Sequence, residues 1–74
     1  MCATIDCTKT GKNIKNLCLE KGFIVNDLVC FLGVTPISVY NWFSGKKIPS
    51  IDHMVEIADL LGVAIDDLVI KKSF

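Results

Sequence analysis

The chain has 74 residues, 51% of them hydrophobic, which suits one small packed domain and excludes a disordered polymer. No apolar run approaches the ~18 residues of a membrane span and no signal-peptide layout opens the chain, so cytoplasmic residence is expected. Eight lysines offset eight acids and there is no arginine, so strong non-specific attraction to a polyanion is excluded as well.

The charges are unevenly placed. Residues 1–50 carry a net +3 and residues 51–74 a net −3, a mildly basic front and an acidic back. The four cysteines, Cys2, Cys7, Cys18 and Cys30, form no Cys-x-x-Cys pair, and the single histidine, His53, has no histidine companion. Reduced thiols are expected, with no structural metal and no cofactor. Cys18 and Cys30 fall at apolar-periodic positions, where a free cysteine packs as a small hydrophobe.

In chain order, residues 1–9 read as an irregular arm, with "CATIDC" able to form a short extended piece. Helix 1 is expected over Thr10 to Lys21, where Ile14, Leu17 and Cys18 recur at helical spacing and Gly22 ends the run. Lys12, Lys15 and Asn16 fall on its other side. Helix 2 is expected over Val25 to Leu32, with Leu28 and Phe31/Leu32 inward, and Gly33 then turns the chain. Thr35 suits an N-cap and Pro36 a first helical residue, so helix 3 runs to about Ser44 and stops at Gly45. Pro49-Ser50 repeats the start signal for helix 4, Ile51 to Leu61, with Met54, Ile57, Ala58 and Leu61 inward. After Gly62, "VAIDDLVI" reads as a short fifth helix with Asp66 and Asp67 in its first turn, where the helix dipole favours anions. The expectation is a compact all-α domain of five helices over residues 10–70, with 71–74 as a tail.

Helices 2 and 3, joined by about three residues through Gly33, have the layout of a helix-turn-helix, whose second helix can enter a DNA major groove. At ~100° per residue, Val39, Trp42 and Phe43 share the inner side of helix 3, while Ile37, Asn41 and Ser44 share the outer side with Tyr40 on the flank. An asparagine amide donates and accepts together, matching the N7 and N6 amino pair of adenine; an isoleucine suits a thymine methyl. Tyr40 can reach a base edge or a phosphate. Thr35, the N–H groups at the helix 3 start, Ser44, Lys46 and Lys47 are placed for the phosphate backbone. Taken singly, Asn41 reads as a solvated residue, Lys46-Lys47 as an ordinary charged loop, His53 as surface and Trp42 as core. The constellation carries the reading.

The segments "TGKNIKNLCLEKG", "LVCFLGV", "TPISVYNWFSGKKIPS" and "IDHMVEIADLLGVAIDDLV" together resemble the phage-repressor-like helix-turn-helix family, also called XRE or lambda-repressor-like domains. The spacing of Trp42, Gly45 and Pro49 and the later "ADLLGV" are its specific marks. The resemblance implies a five-helix domain that binds double-stranded operator DNA as a homodimer on a palindromic site and regulates transcription, most often by repression. Carried over by position, it implies base reading by Pro36, Ile37, Tyr40 and Asn41. It implies phosphate contacts from the start of helix 2 at Val25, from Thr35, and from Lys46 and Lys47. The chain departs from the family pattern where members usually carry polar residues, at Val25, Pro36, Ile37 and Phe43, and at Cys18, where arginine is frequent.

A sequence-specific, non-enzymatic transcription regulator is therefore the leading expectation. The alternative is a protein-interaction module, such as an antitoxin-like partner with weakened DNA binding, motivated by zero net charge and the apolar Val25, Ile37 and Phe43. Catalysis is not expected, because one histidine and scattered thiols offer no nucleophile–base pair, and no glycine loop cradles phosphate or implies a small-molecule substrate. The apolar back around Leu60, Val63, Ile65, Val69 and Ile70, with Phe74, is the expected dimer surface.

Overall fold

The computed structural model describes residues 3–73, with side chains described for residues 5–71. In order, the elements are β1 (Ala3–Ile5), α1 (Cys7–Glu20), α2 (Val25–Leu32), α3 (Pro36–Ser44), α4 (Ile51–Leu61), α5 (Ile65–Leu68) and β2 (Lys71–Ser73). The five expected helices are all present, and a two-stranded antiparallel ribbon joins the chain ends, with Ala3 opposite Ser73 and Ile5 opposite Lys71.

Local chemistry explains each helix start. The Asp6 carboxylate accepts the Lys9 N–H at 2.9 Å, so α1 begins at Cys7, three residues before the start that apolar periodicity gives. Periodicity reports the buried face, whereas a cap decides where hydrogen bonding begins. At α2 the cap works in reverse: Asp27 reaches back to accept the Ile24 N–H at 2.9 Å. Thr35 accepts from Ser38 N–H and Ser50 from His53 N–H, as N-caps of α3 and α4. Asp67 accepts the Ala64 N–H at 3.1 Å and so starts the four-residue α5.

The core is built from the faces that the 3.6-residue period selects. Ile14, Leu28, Val39, Ile57 and Leu68 are fully buried, one from each helix, with Cys18, Trp42, Met54, Ala58 and Leu61 packed among them. Each such aliphatic side chain contributes roughly 1.5–3 kcal/mol by leaving water. Two inward assignments on α2 are corrected. Phe31 is 63% exposed and leans edge-on against Phe23, at 6.4 Å between ring centroids, instead of entering the core. Cys30 is also exposed. The face of α2 turned to the body carries Leu28 fully buried with Val25, Val29 and Leu32 half-buried against the core, and Cys30 and Phe31 face away from it. Leu60, Val63, Ile65 and Val69 are half-buried and pack on the core, with Ile70 half-buried beside them. Phe74 lies outside the described residues.

A polar latch closes the two ends of the chain. Thr10 is the one buried polar side chain among the described residues; its hydroxyl accepts the Ile70 N–H at 2.9 Å and donates to the Ile70 carbonyl at 3.3 Å. The same carbonyl accepts the Asp6 N–H at 2.8 Å. One turn further along α1, the Asn13 amide donates to the carbonyls of Asp67 at 2.7 Å and Leu68 at 3.1 Å, satisfying the end of α5.

Candidate nucleic-acid interface

The placement of α3 starts from two glycines. Gly11, inside α1, is buried, and a Cβ there would overlap the Trp42 carbonyl oxygen and come within 2.9 Å of the Phe43 carbonyl oxygen. Gly45, just past α3, has φ +83°, and a Cβ there would stand 2.6 Å from Thr8 Cα. The backbones of α1 and α3 therefore touch at both contacts with no side chain between them. Gly45 was legible as a helix stop, but its contact with Thr8 and the whole role of Gly11 were not. The only sequence signal was a residue of poor helix propensity at the second position of the expected helix.

Side chains complete the seat. Val39 is fully buried and Trp42 is 5% exposed, as expected. Phe43, the third member of the expected anchor, is half-buried and packs on the core from the side. The His53 ring lies 5.4 Å from the Trp42 ring at a 46° tilt, and its Nδ1 is 3.2 Å from the Ser50 hydroxyl. His53 is thus a half-buried brace between α3 and α4 rather than a plain surface residue.

The outer face of α3 is bare. Ile37 is 71% exposed and Tyr40 59% exposed, with Pro36 and Ser44 exposed beside them. Asn41 is half-buried; its carbonyl accepts the Lys47 N–H and the Ser44 hydroxyl, each at 3.3 Å. Its side-chain amide makes no hydrogen bond among the described residues, so both its donor and its acceptor remain available. Thr35 is exposed, but its hydroxyl already serves Ser38, from whose N–H it accepts at 3.3 Å, with the two side-chain hydroxyls 3.1 Å apart.

The structure separates the expected contacts into two groups. Val25, Tyr40, Asn41, Ser44 and Lys46 line one hollow beside α3, and Lys15 of α1, which periodicity assigned to a solvated side, joins them. Thr35, Pro36 and Ile37 sit at the other end of α3, and Lys47 is exposed outside the hollow. Val25 is half-buried against the core, so its side chain offers a phosphate nothing, and only the backbone at the start of α2 can donate there.

A helix held by its inner face, bare on its outer face and joined to its predecessor through the three residues 33–35, defines a helix-turn-helix protein. The helix-turn-helix family profile matches residues 14–68. The chain belongs to this family, the XRE type, whose members are DNA-binding regulators of transcription. Among solved structures, the restriction-modification controller protein C.AhdI from Aeromonas hydrophila matches at TM-score 0.77 and 22% identity, over 85% of this chain and 96% of that one. A Bacteroides fragilis protein provisionally described as DNA-binding matches at TM-score 0.73 and 31% identity, over 78% of this chain and 94% of that one. Hydroxypropylphosphonic acid epoxidase from S. wedmorenis matches at TM-score 0.78 and 25% identity, over 90% of this chain but 35% of that one. This chain therefore spans about a third of the epoxidase, in which the fold is one part of a larger protein. Among curated proteins, none matches the chain. No described helix is long and apolar enough to cross a membrane.

Proposed function

We propose that this protein is a sequence-specific transcription regulator that acts by occupying an operator, most simply as a repressor, without catalysing a reaction. One observation carries the reading: α3 buries Val39 and Trp42 while leaving Ile37, Tyr40 and the unbonded amide of Asn41 on its outer face. In this reading α3 lies in the major groove, Asn41 pairs with an adenine, Ile37 meets a thymine methyl, and Pro36 and Tyr40 border the same base edges. Lys46 and Lys47, with Ser44 and the backbone ends at Val25 and Thr35, hold phosphates and fix the register.

A nine-residue helix reads about half a turn of duplex, which supports a homodimer on a palindromic site. The half-buried apolar surface of Leu60, Val63, Ile65, Val69 and Ile70 is the candidate interface. Cytoplasmic residence follows from this role.

Binding-site selection on genomic DNA fragments, run beside sedimentation of the free protein, tests the reading. Wild type should enrich one palindromic motif, and Asn41→Ala should lose about 1–3 kcal/mol of discrimination at a single base pair in each half-site. Enrichment of no motif, or identical preferences for both proteins, would overturn the assignment.

A further inference from the structure

The hollow beside α3 has chemistry that phosphate contact does not account for. It is a depression of about 640 Å³, open to solvent, between the second half of α1, the start of α2 and the flank of α3. Sites that hold small organic ligands span about 300–1,000 Å³. Its floor is apolar and closed from below: Cys18 is buried, and Phe23, Val25 and Phe43 pack on the core. Burial lifts the Cys18 thiol from 9.0 to about 11, as befits a floor remote from water. Two walls are aliphatic and left open, Leu19 at 60% and Ile24 at 58% exposure.

The rim is cationic. Lys15 stands on α1 and Lys46 beyond α3, and no carboxylate lines the hollow among the described residues. The nearby Asp27 carboxylate is turned to the Ile24 N–H. A phosphodiester crossing here would satisfy the lysines yet leave the hydrocarbon floor unmatched. A neutral hydrocarbon would leave the lysines unused, and a cation would be repelled by them. One chemistry uses both features, an apolar body carrying a single anionic head.

We infer that this hollow binds an amphipathic monocarboxylate, a medium-chain alkanoate or aryl-alkanoate. Its body lies on Phe43, Leu19 and Ile24, and its carboxylate meets Lys15 or Lys46 at the rim. Tyr40, Asn41 and Lys46 also line the hollow, so an occupied site withdraws side chains that the proposed DNA contact needs. Ligand binding itself does not depend on the operator reading and is measured without DNA.

Amide chemical-shift titration of the full chain with decanoate, below its micelle concentration, is the test. Decan-1-ol and decyltrimethylammonium serve as matched neutral and cationic controls. Saturable shifts confined to residues 15–25 and 40–46 are expected, with decanoate bound about tenfold or more tightly than either control. Leu19→Glu, at an exposed wall position, should weaken decanoate by about tenfold or more with an unchanged melting temperature. Should that variant melt early, at least one of Lys15→Gln and Lys46→Gln, both at exposed positions, must weaken it instead, and the double variant must weaken it by about tenfold. Shifts that fail to saturate, that spread over the whole surface, or that are matched by either control would overturn the inference.

Discussion

Replacing Gly11 with alanine sets two known effects against each other. In an ordinary helix interior the change stabilises by about 0.8–1.0 kcal/mol, because glycine has more backbone freedom to lose. Here the new Cβ would overlap the Trp42 carbonyl oxygen and lie 2.9 Å from the Phe43 oxygen and 3.1 Å from the Phe43 carbonyl carbon. All three are backbone atoms, so no rotamer change relieves the contact. Carbon needs roughly 3.5 Å, and α3 must therefore move off α1 by about 1.5 Å. Overpacking of this kind costs about 1–3 kcal/mol, and the opened seam also forfeits contacts of Ile14, Val39 and Trp42 with their neighbours. The steric term wins, for a net loss of about 1–2 kcal/mol. In a domain of this size that lowers the melting temperature by about 5–15 °C. Thermal and urea unfolding followed by circular dichroism read the stability, and amide shifts along residues 36–44 read the displacement. A variant as stable as wild type, with α3 unmoved, would refute the claim that backbone contact seats the helix.

Thr10→Val keeps the shape but leaves the buried Ile70 N–H without its acceptor, so stability should fall by about 1–3 kcal/mol in urea titration, while Thr10→Ser should retain most of the latch. Cys18, buried and with its thiol raised to about 11, should resist a thiol reagent at pH 8 that modifies the exposed Cys7 and Cys30. Because folding favours the protonated Cys18 thiol, stability is fully present below about pH 9 and declines as pH rises from there through about 11, as pH-dependent urea midpoints would show. The two lysine–phosphate contacts per protomer, Lys46 and Lys47, give a slope of log affinity against log salt near −1.8, or about −3.6 for a dimer, and Lys46→Ala should flatten it by about 1 per protomer.

What the sequence determined by itself was local and periodic. Apolar residues at helical spacing marked Ile14, Leu28, Val39, Met54, Ile57 and Leu61 as interior, since burying one face is the main way a short helix is stabilised. Thr35 and Ser50 announced the starts of α3 and α4 because a capping oxygen acts within three residues of itself. The helical wheel alone separated Val39 and Trp42 from Ile37 and Tyr40.

Only the tertiary structure decided what depends on partners distant in the chain. Phe31 has the same periodic credentials as Leu28 but lies where the body no longer reaches, so it settles on Phe23. Thr10 meets Ile70 and Asn13 meets Asp67 across more than fifty residues, and the strands at the two ends exist only as each other's partner. Gly11 and Gly45 matter because of what approaches them, and Lys15 joins Lys46 at one hollow because α1 happens to cross α3 there. Periodicity states which face of an element turns inward; the close approach of two backbones, and the site it leaves between them, is a property of the pair.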